Sequence, residues 1–111
     1  MAATLAIAII ATAMKTDLYI VDSLMRDLVA HSRSAAAFLV YLQLYRHTLG
    51  AGRESAAMSH AVLADLTGIS KRSVQTAVAH LASRRLIRRR MTRPTAVPIY
   101  TVLTPWIRKP A

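Results

Sequence analysis

The chain has 111 residues, a length that fits one domain with a single hydrophobic core. Hydrophobic residues make up 54% of the chain but aromatic residues only 5%, so the core must consist mainly of Ala, Leu, Ile and Val, which suits a helical protein. The sequence contains no cysteine. This excludes disulfides, thiolate metal sites and a thiol nucleophile, and it agrees with a reducing cytoplasm.

The net charge of +10 is distributed unevenly along the chain. Residues 1–69 carry five cations and five acids, which cancel, whereas residues 70–111 carry ten cations and no acid. Because solvated surfaces normally mix the two signs, an acid-free stretch of this length indicates a polyanionic partner, and nucleic acid is the first candidate. Solubility alone is the alternative explanation.

Residues 2–14 form an uncharged apolar run at the start of the chain. A bilayer-spanning helix needs about 20 apolar residues, so this shorter run does not predict one. A secretory signal would begin with a positive charge, which is missing here, although residues 11–13 have the small-residue pattern of a cleavage site. We expect residues 1–16 to form a two-fold dimerisation element. The alternative is that they fold back as a helix or strand on the rest of the chain, residues 17–111, covering Phe38, Leu42 and Tyr45.

The pattern from residue 17 to residue 58 is helical with interruptions. A short extended piece around residues 18–21 should lead into a helix over residues 23–30, with Leu24 and Leu28 facing inward and Met25 left open. A second helix, over residues 35–49, should place one apolar stripe on the core, consisting of Phe38, Leu39, Leu42, Tyr45 and Leu49. Residues 50–52 then end this helix, and residues 53–58 are predicted to be a linker.

Two further helices are predicted by their serine caps. Ser59 and Ser70 each precede apolar residues at helical spacing, and a serine hydroxyl can accept a hydrogen bond from the first turn of a helix. The first helix ends at Gly68, which can adopt a left-handed conformation, and its expected core stripe is Val62, Leu63 and Leu66. The second helix should bury Val74, Ala77, Val78 and Leu81. Its outward row is then Lys71, Arg72, Gln75, Thr76 and Ala79.

A β-hairpin is predicted after these helices. The β-prone runs 86–91 and 97–103 flank the turn-rich residues 92–96. Pro98 has no backbone N–H, so its strand should be an edge strand or should begin at the proline. Trp106 is expected to pack on the core or on a partner chain rather than on a base, and residues 108–111 are expected to fray.

The stretch LADLTGISKRSVQTAVAHLASRRLIRR, residues 63–89, resembles bacterial winged-helix transcription regulators and plasmid replication initiators. The resemblance extends over residues 59–103 and implies a mainly α fold with a small β-hairpin wing, the winged helix-turn-helix. In this family a small residue at the position of Ala64 lets two helices touch, Gly68 makes the turn, and Ile69 and Val74 fill the core. One departure is Arg85, which stands where the family usually has glycine.

These observations predict a cytoplasmic homodimer that binds specific sites in double-stranded DNA and represses transcription by occluding a promoter. Arg72 and Gln75 would read bases, while basic residues of the hairpin would meet phosphates or enter the minor groove. The residues expected to contact DNA are Ser70, Lys71, Arg72, Ser73, Gln75, Thr76, His80, Arg88, Arg89, Arg90 and Arg93.

The sequence gives less support to other functions. No enzyme is expected, because no acid pairs with another at a spacing typical of acid–base catalysis. No metal or cofactor is expected either, because the four histidines lie at least thirteen residues apart. The sequence shows no effector site and no membrane segment. The alternatives are an accessory protein for plasmid or phage replication, partition or recombination, an RNA-binding winged helix, and a protein-interaction module.

Overall fold

The computed structural model describes residues 18–107, so the expected dimerisation element (residues 1–16) and the expected frayed end (residues 108–111) lie outside the described residues. Three α-helices are present in this range: α1, Ala35–His47; α2, His60–Thr67; and α3, Lys71–Ser83. The range also contains a three-stranded antiparallel sheet. Its strands are β1, Ser55–Ala57; β2, Ile87–Arg90; and β3, Ile99–Val102. The predicted fold, mainly α with a small β-hairpin wing, is confirmed.

The N-terminal helical segment, residues 18–31, precedes α1 and contains two π-helical turns, Ile20–Leu24 and Asp27–His31. The prediction of an extended piece at its start is wrong, because residue 18 onward is already helical. Ile20, Leu24 and Leu28 are all buried. Burial of an apolar row at four-residue spacing outweighs the β preference of the branched residues at its start. Leu24 and Leu28 thus face inward as predicted, whereas Met25 is exposed.

Helix α1 is the central helix of the domain. The Oγ of Ser34 accepts a hydrogen bond from the backbone N–H of Ala37 at 3.1 Å, which starts the helix as a serine cap. The predicted single stripe is only partly correct, since Leu39 and Leu49 are exposed while Ala37, Phe38, Val40, Tyr41 and Leu44 are buried. The physical reason is that α1 contacts α2, α3, β3 and the N-terminal helical segment, so it is covered on several sides.

Strand β1 lies in the stretch that the sequence predicted to be a linker, and that prediction is wrong. Ser55–Ala57 pairs with β3, so β3 is the central strand in the order β1-β3-β2. Pro98 immediately precedes Ile99, the first paired residue of β3, and therefore removes no donor from the ladder. Since β3 is the central strand, it is not the predicted edge strand. The other predicted position, a proline at the start of the strand, is close to what is observed.

The end of the described chain packs on the core. The Oη of Tyr41 donates a hydrogen bond to the backbone oxygen of Leu103 at 3.0 Å. The Trp106 ring stacks on Tyr19 with 4.5 Å between ring centroids and lies 6.3 Å from Tyr41. Trp106 thus packs on the core of its own chain, which is the first of the two environments predicted for it.

Candidate nucleic-acid interface

Helices α2 and α3 form a helix-turn-helix. The residues that begin both helices and end α2 are the predicted ones. The Oγ of Ser59 accepts from the Val62 N–H and the Oγ of Ser70 from the Ser73 N–H, each at 3.1 Å. Gly68 ends α2 with a φ of 78°, in the left-handed region where glycine has no steric penalty. Ala64 and Ile69 pack against the buried core, in agreement with the roles that the family resemblance implies.

The predicted core stripe of α2 is wrong in two of its three positions. Leu63 is fully buried, but Val62 is 45% exposed and Leu66 is 43% exposed. This short helix lies at the margin of the core, with α1 and α3 as its helical neighbours. The neighbouring helices therefore cover only the side of α2 that carries Leu63.

Helix α3 has the two faces that were predicted for it. Val74, Ala77, Val78 and Leu81 are buried. The opposite row is exposed throughout and consists of Lys71, Arg72, Gln75, Thr76 and Ala79. An exposed helix face with two cations and an amide near its start has the donors that phosphates and base edges accept.

Three of the predicted contact residues have hydroxyl groups that are hydrogen-bonded within the protein itself, and a fourth, His80, is partly withdrawn from the surface. Ser70 caps α3 and also donates from its hydroxyl to the Oγ of Ser73 at 3.0 Å. Thr76 donates to the backbone oxygen of Arg72 at 3.1 Å. His80 is half-buried, and its Nε2 is buried without a hydrogen-bond partner among residues 18–107. The side chains presented most openly on α3 are therefore Lys71, Arg72 and Gln75.

The three consecutive arginines of β2 do not form one surface. Successive side chains of a strand point to opposite faces of the sheet. Arg89 pairs with the buried Tyr100 and so lies on the face that packs against the helices. Arg88 and Arg90 pair with Thr101 and Ile99 and line a cleft on the outer face of the sheet. This alternation could have been read from the sequence, because three adjacent strand residues cannot share a face.

The charge of Arg89 acts on groups of both the helix-turn-helix and the sheet. Burial lowers the pKa of His60, the first residue of α2, and the nearby Arg89 guanidinium lowers it further. Burial also raises the pKa of Tyr100, and the charge of Arg89 opposes this rise. The same guanidinium thus influences the first residue of α2 and the central strand of the sheet.

Arg93 lies at the exposed tip of the hairpin, in the loop between β2 and β3. Its backbone oxygen accepts a hydrogen bond from the N–H of Ala96 at 3.0 Å, which closes a four-residue turn with Pro94 in its second position. Proline favours this position because its fixed φ suits the turn. Arg93 is therefore held as the first residue of a turn in the hairpin loop.

The sequence did not single out Arg84, which behaves differently from the other basic residues. Arg84 forms an ion pair with Asp27, and its Nη1 donates to the Oγ of Ser32 at 2.8 Å. The hydrogen bond from Arg84 is the main cause that lowers the pKa of Asp27. Eight cations lie in residues 70–107. Within the described range, Arg84 is the one among them that forms an ion pair, which leaves seven for an external anion.

Arg85 shows how α3 ends without the usual glycine. Its φ is 57°, so an arginine adopts the left-handed conformation there. The Arg85 N–H donates to the oxygen of Ala82, and the Leu86 N–H donates to the oxygen of Leu81, each at 3.0 Å. This is the Schellman arrangement of a helix C-terminus, and the accompanying apolar pair, Leu81 and Leu86, is buried.

A helix-turn-helix with a basic outward row on its second helix, followed by an arginine-bearing hairpin, defines the winged helix-turn-helix class of DNA-binding domain. Residues 34–87 match the family model described as a helix-turn-helix domain, so this part of the chain is similar to that family. The match and the fold together indicate DNA binding. Comparisons with curated proteins and with solved structures gave no match.

Residues 18–107 contain neither a membrane-spanning helix nor a cluster of metal ligands. No helix in this range has the length and apolar character needed to cross a membrane. The same range holds no group of three or more His, Cys, Asp or Glu side chains that could hold a metal ion.

Proposed function

We propose that this protein is a cytoplasmic, homodimeric and non-enzymatic transcription regulator that recognises a specific site in duplex DNA and represses by occluding a promoter. The observation that carries the proposal is the exposed row of α3, in which Lys71 and Arg72 form no ion pair within the described residues and the Gln75 amide is exposed beside them. Occlusion requires only that the DNA be occupied, and a winged helix can do this without a further activity.

Base reading is assigned to Arg72 and Gln75. Residues three apart on a helix are neighbours on its surface, so these two side chains can reach adjacent base pairs in a major groove. Arg72 can donate two hydrogen bonds to guanine, and Gln75 can pair with adenine, each pair giving about 1–3 kcal/mol of discrimination. Lys71 lies in the first turn, where the positive end of the helix dipole also favours a phosphate.

The hairpin is assigned to affinity rather than to sequence selection. We assign contacts with the DNA backbone to Arg93 in the hairpin loop and to Arg89 on the sheet face that packs against the helices; their exposure supports this assignment. Arginine contacts with phosphates position a protein on the duplex but carry no direct sequence information. Arg88 and Arg90 lie on the outer face, so we assign them a smaller share of this binding.

The test uses genomic sites bound by the protein in its source organism, compared with random duplex DNA of equal length. Arg72→Ala and Gln75→Ala should each reduce the ratio of specific to random affinity by about 5- to 150-fold, equivalent to the loss of about 1–3 kcal/mol. Arg46→Ala, which removes an exposed cation at the end of α1, is the matched control and should leave the ratio unchanged.

An unchanged ratio for both α3 variants would contradict the assignment of base reading. Competition with structured RNA of equal length tests the class of nucleic acid. If RNA displaces the protein from its DNA site at equal concentration, the RNA-binding alternative is favoured over the proposed function.

A further inference from the structure

The outer face of the sheet carries a cleft that is separate from the exposed row of α3. Its floor includes a row across the three strands, in which Thr101 of β3 lies between Ser55 of β1 and Arg88 of β2. Two adjoining hollows share Thr101, Arg88 and Glu54, and together we call them the outer-face cleft. The larger hollow has a volume of about 500 Å³, which is within the range of small-molecule sites, roughly 300–1,000 Å³.

Three arginines and one acid line the outer-face cleft. Arg85 and Arg88 line the larger hollow, and Arg88 and Arg90 line the smaller one. All three arginines are exposed, and among residues 18–107 none of them forms an ion pair with Glu54 or with any other acid. A guanidinium group binds a carboxylate or a phosphate through two parallel hydrogen bonds. The cleft therefore has an excess of positive charge and the donors that an anionic group accepts from.

The larger hollow also has an apolar wall. It is lined by Leu49, in the turn after α1, and by Pro105 and Ile107 near the end of the described chain. Leu49 is 42% exposed and Ile107 is 50% exposed. An anion that is polar on all sides would leave these side chains in water, whereas a ligand with an apolar body would cover them.

The position of the cleft separates it from the residues assigned to base reading. Arg85 follows the C-terminal end of α3, whereas Arg72 lies in its first turn, and a helix of 13 residues spans about 20 Å. The sugar–phosphate backbone of a duplex is polar and charged, so it has no surface that suits an apolar wall. Duplex DNA on the first turns of α3 would leave the outer-face cleft open.

The protein's own charges do not suit the cleft either. The chain has 15 cations against five acids, so a second copy would bring mainly like charges to the three arginines. Arg108 and Lys109, which follow Ile107 in the sequence, are cations as well. The complementary occupant is therefore an external anion.

We propose that the outer-face cleft is a binding site for a small organic anion with an apolar body, whose head group is a carboxylate or a phosphate. Arg85 and Arg88 hold the head group, and Leu49 and Ile107 contact the apolar body. This site goes beyond the proposed function because it requires no contact with DNA. The anion and the duplex can be bound at the same time.

The test uses the full chain and a fluorescent organic anion with apolar rings, anilinonaphthalene sulfonate. We expect saturable binding at one site per chain, and displacement of the probe by octanoate and by octyl phosphate. Inorganic phosphate lacks the apolar body and octanol lacks the charge, so each should displace the probe at least about tenfold less effectively. Random duplex DNA at saturation should leave the probe bound.

Two variants each remove one half of the site. Arg88→Thr removes a guanidinium but keeps a residue that favours strands, and Leu49→Ser removes part of the apolar wall. Each should weaken probe binding by about tenfold or more, with an unchanged circular dichroism spectrum. Arg26→Ala and Leu39→Ser are the matched controls, because these exposed residues lie outside the cleft, and they should bind the probe as the unaltered protein does.

Arg85→Ala is a second variant of the charged half, and it leaves the strands intact. If these three cleft variants bind the probe as the two controls do, or if the unaltered protein shows no saturable binding of the probe, octanoate or octyl phosphate, the proposal is wrong. Inorganic phosphate that competes as well as octyl phosphate would overturn the apolar body. Duplex DNA that displaces the probe would assign the cleft to the DNA interface instead. By contrast, a protein that binds the probe in the cleft but binds no DNA site would refute the proposed function and leave this site standing.

Discussion

Replacing Arg85 by glycine should stabilise the protein. Arg85 has a φ of 57°, which places its Cβ close to the neighbouring backbone. A left-handed conformation costs a residue with a Cβ about 1–2 kcal/mol, and glycine loses about 0.5–1 kcal/mol more backbone entropy on folding. The Arg85 side chain is exposed and forms no ion pair within the described range, so its loss costs little. The difference favours the glycine variant by about 0.5–1 kcal/mol.

The assay compares thermal and urea unfolding of the unaltered protein, Arg85→Gly and Arg85→Ala. A gain of 1 kcal/mol raises the midpoint of a domain of this size by about 4–8 °C, so a rise of about 2–8 °C is expected for the glycine variant. Arg85→Ala removes the same charge but keeps the strained φ, and its stability should lie within about 0.5 kcal/mol of the unaltered protein.

A second comparison checks the sign of the effect. Arg88→Gly, in the middle of β2, should be destabilising by about 0.5–1 kcal/mol because glycine has no strained conformation to relieve there. If Arg85→Gly is no more stable than Arg85→Ala, the left-handed conformation is not costly at this position and the reasoning fails.

Three other predictions concern the hairpin, the core and the N-terminal helical segment. Arg89→Ala should flatten the slope of log affinity against log salt by about one unit, the share of one phosphate contact, whereas Arg90→Ala on the outer face should change it less; equal slopes would remove the distinction between the two faces. Tyr100→Phe should be neutral or stabilising because its buried Oη has no hydrogen-bond partner in the described range, whereas Tyr41→Phe loses the bond to the Leu103 backbone oxygen and should cost about 0.5–1.5 kcal/mol. Urea unfolding of both variants tests this, and a larger loss for Tyr100→Phe would contradict it. The pKa of Asp27 lies below its ordinary value of 3.8, so its ion pair stabilises the fold above that pH and is lost as the pH falls through the lower folded value. Asp27→Asn should therefore lower stability by about 0.5 kcal/mol at pH 7, since the pair is partly exposed, and the difference from the unaltered protein should shrink below pH 3.8; a difference that stays constant to pH 2 would assign the effect to something other than the carboxylate charge.

The sequence by itself determined the features that depend on neighbours a few residues away. The caps at Ser59 and Ser70 and the turn at Gly68 follow from hydrogen bonds and a backbone angle within one helical turn. The buried face of α3 follows from residue spacing, because this helix is covered on one side only. The outward row with Lys71, Arg72 and Gln75, which carries the candidate site, was therefore predictable without the structure.

The tertiary structure decided everything that depends on residues far apart in the chain. Strand β1 exists because β3 offers it a partner, since Ser-Ala-Ala has little strand preference of its own. Helix α1 is covered on several sides, so its single predicted stripe was partly wrong. The sequence does not distinguish Arg84 from the other basic residues. Only the fold brings it into an ion pair with Asp27, 57 residues away in the sequence. Local spacing sets which side of a helix is apolar, but only the packing of the other elements decides whether that side is covered.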